Sequence, residues 1–338
     1  MKNGNKKREA PWDQWLFEAL NRHTAKKARD RIADWLLKNA SSNAEKRLLR
    51  LVSVEEPAVE TVARGLIECG ANARAVSESG ETPLICAARH LWVDCVMFLA
   101  PLSDAKAQDQ FGETALMGAA ARGGKAPEGS LACVKLLLPH SDPLAQNKQG
   151  DNALILSVRA GGSAAVAPLL WEAAARAANF QGETALMAAV NARRLAVVKS
   201  LLPISDALAK ENDGWTALMI AAASGQPECL LELPPASDAK ATDNVGRNAL
   251  MHAAAFGHLD CLEALISRAD LSAADNQGRD AVAVALENGQ PECAALIERH
   301  ALAAIAANGV PSAPLTNGAG MPSENLASDS PKKGLLRL

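Results

Sequence analysis

Seven glycines, Gly80, Gly112, Gly150, Gly182, Gly214, Gly246 and Gly278, recur along this 338-residue chain at intervals of 32, 38, 32, 32, 32 and 32. A period of this length constrains the fold more than composition can. Each period is one supersecondary unit that buries its apolar face only against its neighbours. The single long interval carries six extra residues, after which the count resumes unchanged. The pattern predicts an open stack of similar units.

Every unit reads alike. In Asp213-Gly214-Trp215-Thr216-Ala217-Leu218-Met219-Ile220-Ala221-Ala222, a turn residue and a glycine come first, because glycine accepts the positive φ of a tight turn. Thr216 is placed to cap a following helix, and Leu218, Ala221 and Ala222 share one face of it. Gly225-Gln226-Pro227-Glu228 starts a second helix, with Pro227 at the first position, where its missing N–H costs nothing. Cys229, Leu230 and Leu233 line that helix, Pro235 ends it, and Ser237-Asp238-Ala239 leads to the next turn. The composition agrees: 49% of residues are hydrophobic, yet only 3% are aromatic and none is Tyr. Small side chains let helices approach closely, which suits thin helix-pair layers. The expected fold class is all-α.

These units resemble the ankyrin repeat family. Its Thr-Pro-Leu-His-x-Ala-Ala core stands most fully as Thr82-Pro83-Leu84-Ile85-Cys86-Ala87-Ala88. Later copies keep Thr114/Leu116/Ala119/Ala120, Thr184/Leu186/Ala189 and Thr216/Leu218/Ala221/Ala222, while Asn248 and Asp280 take the capping place in the last two. The family's His is replaced by Ile85, Met117, Ile155, Met187, Met219, Met251 or Ala283, so apolar packing must substitute for its hydrogen bond. The family's Gly-Ala-Asp ending survives only as Gly70-Ala71-Asn72; elsewhere Ser-Asp pairs such as Ser205-Asp206 replace it. The resemblance covers roughly residues 43–300 and implies a solenoid that binds proteins.

The expected organisation is a basic flexible start (1–10), a helical N-terminal cap (11–42), a degenerate repeat (43–75), seven repeats (76–300) and a disordered tail (301–338). Trp12, Trp15, Phe17, Ile32, Trp35 and Leu36 give the cap its apolar faces; a solenoid end needs such cover. The tail is rich in Ala, Gly, Pro and Ser. Two units deviate. The extra residues, Gly123–Ser130, fall between the two helices of one unit, where lengthening is cheap. Pro168 lies inside the second helix of the next unit and Trp171 replaces its usual Pro, which predicts a kink and a flex point.

Motifs for chemistry are thin. Cys95, Cys133, Cys229, Cys261 and Cys293 occupy one place in five units, as small buried hydrophobes would; no Cys-x-x-Cys pair exists. Cys86 with His90, and His252 with His258 and Cys261, fall short of a fourfold zinc set. Neither a phosphate-binding Gly-rich loop with Gly-Lys-Ser/Thr nor a Gly-x-Ser-x-Gly elbow is present. No catalytic residue, metal ligand or cofactor site is expected, and the chain reads as a non-enzyme. The net charge of −3 is uneven: residues 1–50 hold 13 Lys/Arg against 6 Asp/Glu. These charges are mixed rather than clustered and read as a solvated helix face, so no nucleic-acid partner is expected. The basic start lacks the apolar core of a signal peptide, and no apolar run reaches membrane-spanning length. The reading is a cytoplasmic monomer with a protein partner, acting as adaptor, scaffold or inhibitor. The alternatives are a secreted bacterial effector acting on a host protein, which the Ala-rich composition hints at, and the recognition subunit of an enzyme complex.

The resemblance implies that turn tips and first helices form a concave binding face. By position, the tips include Glu81, Phe111, Glu113, Phe180, Glu183, Trp215, Val245, Arg247 and Arg279, and the first helices present Arg89, His90, Arg122, Arg159, Asn191 and Phe256. Aromatics are scarce, yet Phe111, Phe180 and Trp215 fall at tips, and Trp and Arg are favoured interface anchors. The expected partner-binding residues are Arg89, Phe111, Arg122, Phe180, Trp215, Val245, Arg247 and Phe256.

Overall fold

The computed structural model describes residues 11–21, 24–40, 42, 44, 47–48, 58–161, 163–234 and 240–307. The expected flexible start, most of the first helix of the degenerate repeat, Pro235, Ser237-Asp238-Ala239 and residues 308–338 of the expected tail lie outside these residues; residues 301–307, also expected in the tail, instead continue the last helix, whose alanine-rich sequence suits it.

Three helices open the described chain: α1 (Trp12–Leu20), α2 (Ala25–Asn39) and α3 (Val59–Glu68). The rings of Trp12, Trp15 and Trp35 meet edge to face, with centroids 5.3 to 5.5 Å apart. Such pairs add specific geometry to a large apolar burial. Leu16, Leu20, Ile32 and Leu36 fill the space beneath them. Helix α1 packs on α2, α3 and the first helix of the next unit. Two polar ties fix its angle: the Asn72 amide donates to Asp13 Oδ1 (2.7 Å), and the Trp92 indole donates to the Leu20 carbonyl (3.0 Å).

Seven helix pairs follow among the described residues. The first members are α4 (Pro83–Arg89), α6 (Ala115–Ala120), α8 (Ala153–Ala160), α11 (Ala185–Asn191), α13 (Ala217–Ala223), α15 (Ala249–Phe256) and α17 (Ala281–Glu287). Each begins at a side-chain cap. Thr82, Thr114, Asn152, Thr184, Thr216, Asn248 and Asp280 all accept from the backbone N–H three residues on. This satisfies a donor that the helix start would otherwise leave free. These helices stack on one another in one column. Their buried faces are rich in alanine, as in Ala217, Ala221 and Ala222 beside Leu218 and Met219. The low aromatic content suits this packing: among these helices the only buried aromatic ring is the imidazole of His252, and larger rings would force the layers apart.

The second members are α5 (Val93–Leu99), α7 (Pro127–Leu137), α9 (Ser163–Val166), α12 (Leu195–Leu201), α14 (Pro227–Glu232), α16 (Leu259–Ile266) and α18 (Pro291–Ala307). Cys95, Cys133, Cys229, Cys261 and Cys293 are buried among them. Burial pushes the thiols of Cys95 and Cys133 up to about 12 and that of Cys261 to about 11. They are packing groups that hold their protons, not reactive thiolates.

The two deviant units take definite shapes. Helix α7 has 11 residues where α5 has 7. Cys133 is the seventh residue of α7 whereas Cys95 is the third of α5, so part of the insertion is an extra helical turn at the N-terminal end. The rest is a bulge at 121–126 that leans on the next unit: a Cβ at Gly124 would strike the Ala160 carbonyl. In the next unit, α9 stops after four residues and a single 3-10 turn, Ala167–Leu169, carries Pro168. A further short helix, α10 (Glu172–Arg176), then packs on α11. The outer column is thin here, and α12 packs on α11 and α14. Pro168 removes a helix donor and blocks the preceding turn, which accounts for the expected kink.

Candidate functional site

The turn tips form an edge in which each unit is hydrogen-bonded to the next. A backbone ladder runs along it. The amides of Gln110, Lys148, Phe180, Asn212, Asn244 and Asn276 donate to the carbonyls of Ser79, Phe111, Gln149, Gln181, Asp213 and Val245, at 2.9 to 3.1 Å. Side-chain amides add a second rail: Asn212, Asn244 and Asn276 each donate to a carbonyl in the preceding tip, those of Phe180, Asn212 and Asn244. This approach of backbone to backbone explains the periodic glycine. Gly182, Gly214 and Gly246 have φ of 81 to 85°, and a Cβ on any of them would meet the next tip's backbone within 3.0 Å.

Five of the seven turns are held by a side chain three residues before the glycine. One oxygen of Asp109, Asn147, Asn179, Asp243 or Asp275 accepts the backbone N–H groups two and four residues on, at 2.8 to 3.0 Å. The amino-acid pattern contains this column at the same period as the glycines, and it was readable there.

Behind the edge lies a chain of charge pairs. Arg89 reaches from the end of α4 to Glu81, Asp109 (2.8 Å) and Glu113 (2.9 Å). Arg159 likewise joins Asp151 (2.6 Å) to Glu183. The residue after the glycine is Glu81, Glu113, Asp151 and Glu183 in the first four units, then Trp215, Arg247 and Arg279. At this one position the side chains therefore change from acidic to basic along the edge. Burial, together with neighbouring Asp213 and Glu183, raises the pKa of Glu211 midway along it. At the basic end burial would raise Asp275, but hydrogen bonds from Arg279 and from backbone amides outweigh it and hold the carboxyl at about 2. Arg247 also approaches Asp275, at 3.6 Å.

The expected partner residues divide into two groups. Phe111, Phe180, Val245 and Phe256 are exposed, at 51%, 61%, 47% and 55%. Phe111 and Phe180 lie on either side of the tip that carries Gln149: Lys148 bonds to Phe111 and Phe180 bonds to Gln149. Val245 sits further along the same edge, whereas Phe256 ends α15 and faces His258, with ring centroids 6.4 Å apart. Arg89, Trp215 and Arg247 are half-buried and already engaged within the molecule. Trp215 packs on the buried His252, whose Nε2 lies 2.9 Å from Asp243 Oδ2. Arg122 is half-buried just after α6. The Trp215–His252 contact joins residues of successive units and follows from the register of the stack, so no local motif announces it.

Among the described residues no group of three or more His, Cys, Asp or Glu is gathered as a metal ion requires, and no helix is long and apolar enough to cross a membrane.

An all-helical stack with hairpin-like turns, an ordered tip edge and a column of capped first helices is a repeat solenoid of the interaction-module class. The family described as ankyrin repeats matches residues 51–126, 93–176, 124–207, 165–236 and 218–304, in overlapping placements of its three-copy unit. The chain belongs to the ankyrin repeat family. Ankyrin repeats are generally protein–protein interaction modules, typically without catalytic activity of their own. No curated protein matches the chain.

Proposed function

We propose that this protein is a non-enzymatic adaptor, scaffold or inhibitor that holds a partner protein against the turn tips and first helices. The observation that carries this reading is the exposure of Phe111, Phe180 and Val245 on an edge whose backbone is already hydrogen-bonded along its length. Rigid apolar anchors bind with little ordering cost. Phe111, Phe180 and Val245 form the centre of the contact, with Phe256 and Arg122 beside it. Arg89, Trp215 and Arg247 hold the shape and offer the partner only their exposed edges. The acidic tips of the first four units favour a partner segment carrying Lys or Arg there. The buried thiols of Cys86, Cys95, Cys133, Cys229, Cys261 and Cys293, none of them in a disulfide, support residence in a reducing compartment such as the cytoplasm.

The test is recovery of interacting proteins from the native cell by the wild-type chain and by a Phe111→Ala/Phe180→Ala variant of equal thermal stability. A protein captured by the wild type and lost with the variant supports the reading. Equal capture of every partner by both would reject this edge as the interface.

A further inference from the structure

The last helix pair breaks a rule that every earlier unit obeys. Eight residues after the tip glycine stand Ala88, Ala120, Val158, Val190, Ala222 and Ala254, each fully buried under the following unit. The equivalent residue in the last unit is Leu286, larger than any of them and 55% exposed. Terminal units of repeat stacks ordinarily turn a polar face outward; this one presents a leucine. The backbone agrees that a layer is wanting. A Cβ at Gly246 would meet Asn276, and one at Gly257 would meet Gln290, but Gly278 and Gly289 have nothing within 4 Å.

Helix α18 continues the same theme. It has 17 residues where α16 has 8. Its final stretch reads Ala301-Leu302-Ala303-Ala304-Ile305-Ala306-Ala307, without one polar side chain. Leu302 is 56% exposed. Covering side chains such as Leu286 and Leu302 removes apolar surface from water, so these leucines favour an occupant.

The chain itself supplies one. It leaves the described structure at Ala307, beside the uncovered surface, with residues 308–338 still to come. Asn308-Gly309 is a helix-stop pair suited to a left-handed reversal. Val310-Pro311-Ser312-Ala313-Pro314-Leu315 follows: five apolar residues of six including two prolines, a stretch predisposed to extended structure. In that form six residues run about 16–19 Å, the length of roughly eleven residues of α-helix at 1.5 Å each. A segment reversing at Gly309 therefore reaches from the end of α18 back toward its middle. Being tethered, it competes at an effective concentration on the order of millimolar.

We propose that Val310–Leu315 folds back over the last helix pair and covers Leu302 and Leu286, closing the C-terminal end of the stack in cis. The remaining residues of the tail stay outside this contact. The inference concerns the end of the stack and is independent of the partner edge.

The test uses the full chain. A Val310→Asp/Leu315→Asp variant is compared with wild type and with Met321→Asp/Leu326→Asp, which alters the tail beyond the contact. Hydrogen exchange of amides in 281–307, thermal unfolding and molar mass by light scattering are read together. The expected result is several-fold faster exchange in 281–307 and a midpoint lower by a few degrees for the first variant only, with all three chains monomeric. Unchanged exchange and midpoint in the first variant would overturn the proposal. So would equal loss in both variants, or a wild-type dimer that Leu286→Asp dissociates, which would make a second copy the occupant.

Discussion

The indole of Trp215 lies over the imidazole of His252, with ring centroids 4.1 Å apart and planes inclined at 41°. On its other side His252 meets Asp243, the residue that shapes the next turn. One aromatic pair thus ties the tip of the fifth helix pair to the first helix and turn of the sixth. Trp215→Ala should therefore cost about 1–3 kcal/mol of folding stability, as a half-buried ring lost from packing does. Phe180→Ala should stay within about 0.5 kcal/mol, as expected for an exposed residue. Urea unfolding of both variants checks this; equal midpoints would refute the division into shape-holding and exposed aromatics.

His252 also sets a pH dependence. Burial lowers its pKa below the ordinary 6.5, more than Asp243 restores it. The unfolded chain then binds a proton that the folded chain does not. Stability is full above about pH 6.5 and falls as the pH drops below that value. The melting temperature should decline between pH 7.5 and 5.5, and His252→Gln should flatten part of that slope. Parallel slopes for the two proteins would remove His252 from the account.

Arg89 and Arg122 were equivalent candidates in the sequence, both near the end of a first helix. The structure separates them. Arg89 bridges three carboxylates, one of them on the buried Asp109 side chain. Arg89→Met should destabilise by about 1–3 kcal/mol, because it leaves those charges without a partner. Arg122→Met should change stability by no more than about 0.5 kcal/mol. Chemical denaturation of the pair decides.

Two glycines with similar positive φ allow the tip ladder to be isolated. Gly246 and Gly278 have φ of 85° and 76°. A Cβ at Gly246 would lie 2.8 Å from the Asn276 nitrogen, whereas Gly278 faces open space. Both alanine variants incur the left-handed strain, about 1 kcal/mol; only Gly246→Ala should also disturb the ladder and lower stability further. Equal losses would show that strain alone matters.

The outer helix around Pro168 is interrupted, which should make this layer weaker than its neighbours. Amides of residues 165–170 should exchange faster than those of α12 and α16 at equal pH. Protection equal to those helices would show that the break has no dynamic consequence.

The period of 32, the capping residues and the short paired helices were legible because they are local and repeated. Asn248 and Asp280 cap as Thr216 does, since the geometry needs only a short side chain with an acceptor oxygen. The extra turn of α7 was harder to read: Pro127 marks a helix start, but nothing local says how much of Gly123–Ser130 is helix. The roles of Arg89 and Trp215 were not legible. Each depends on a neighbour in the next unit, and which residue that is follows from the stacking register, not from the residues around it.

The ladder link from Phe111 to Lys148 spans the unit with the six-residue insertion, yet at 2.9 Å it matches the others. The insertion enters where the helices of a pair are joined, away from the tips. A molecule gripping the tips meets the same divisions whether or not the other side has grown. The edge behaves as a ruler, graduated once per unit and indifferent to the thickness of the wood behind its scale.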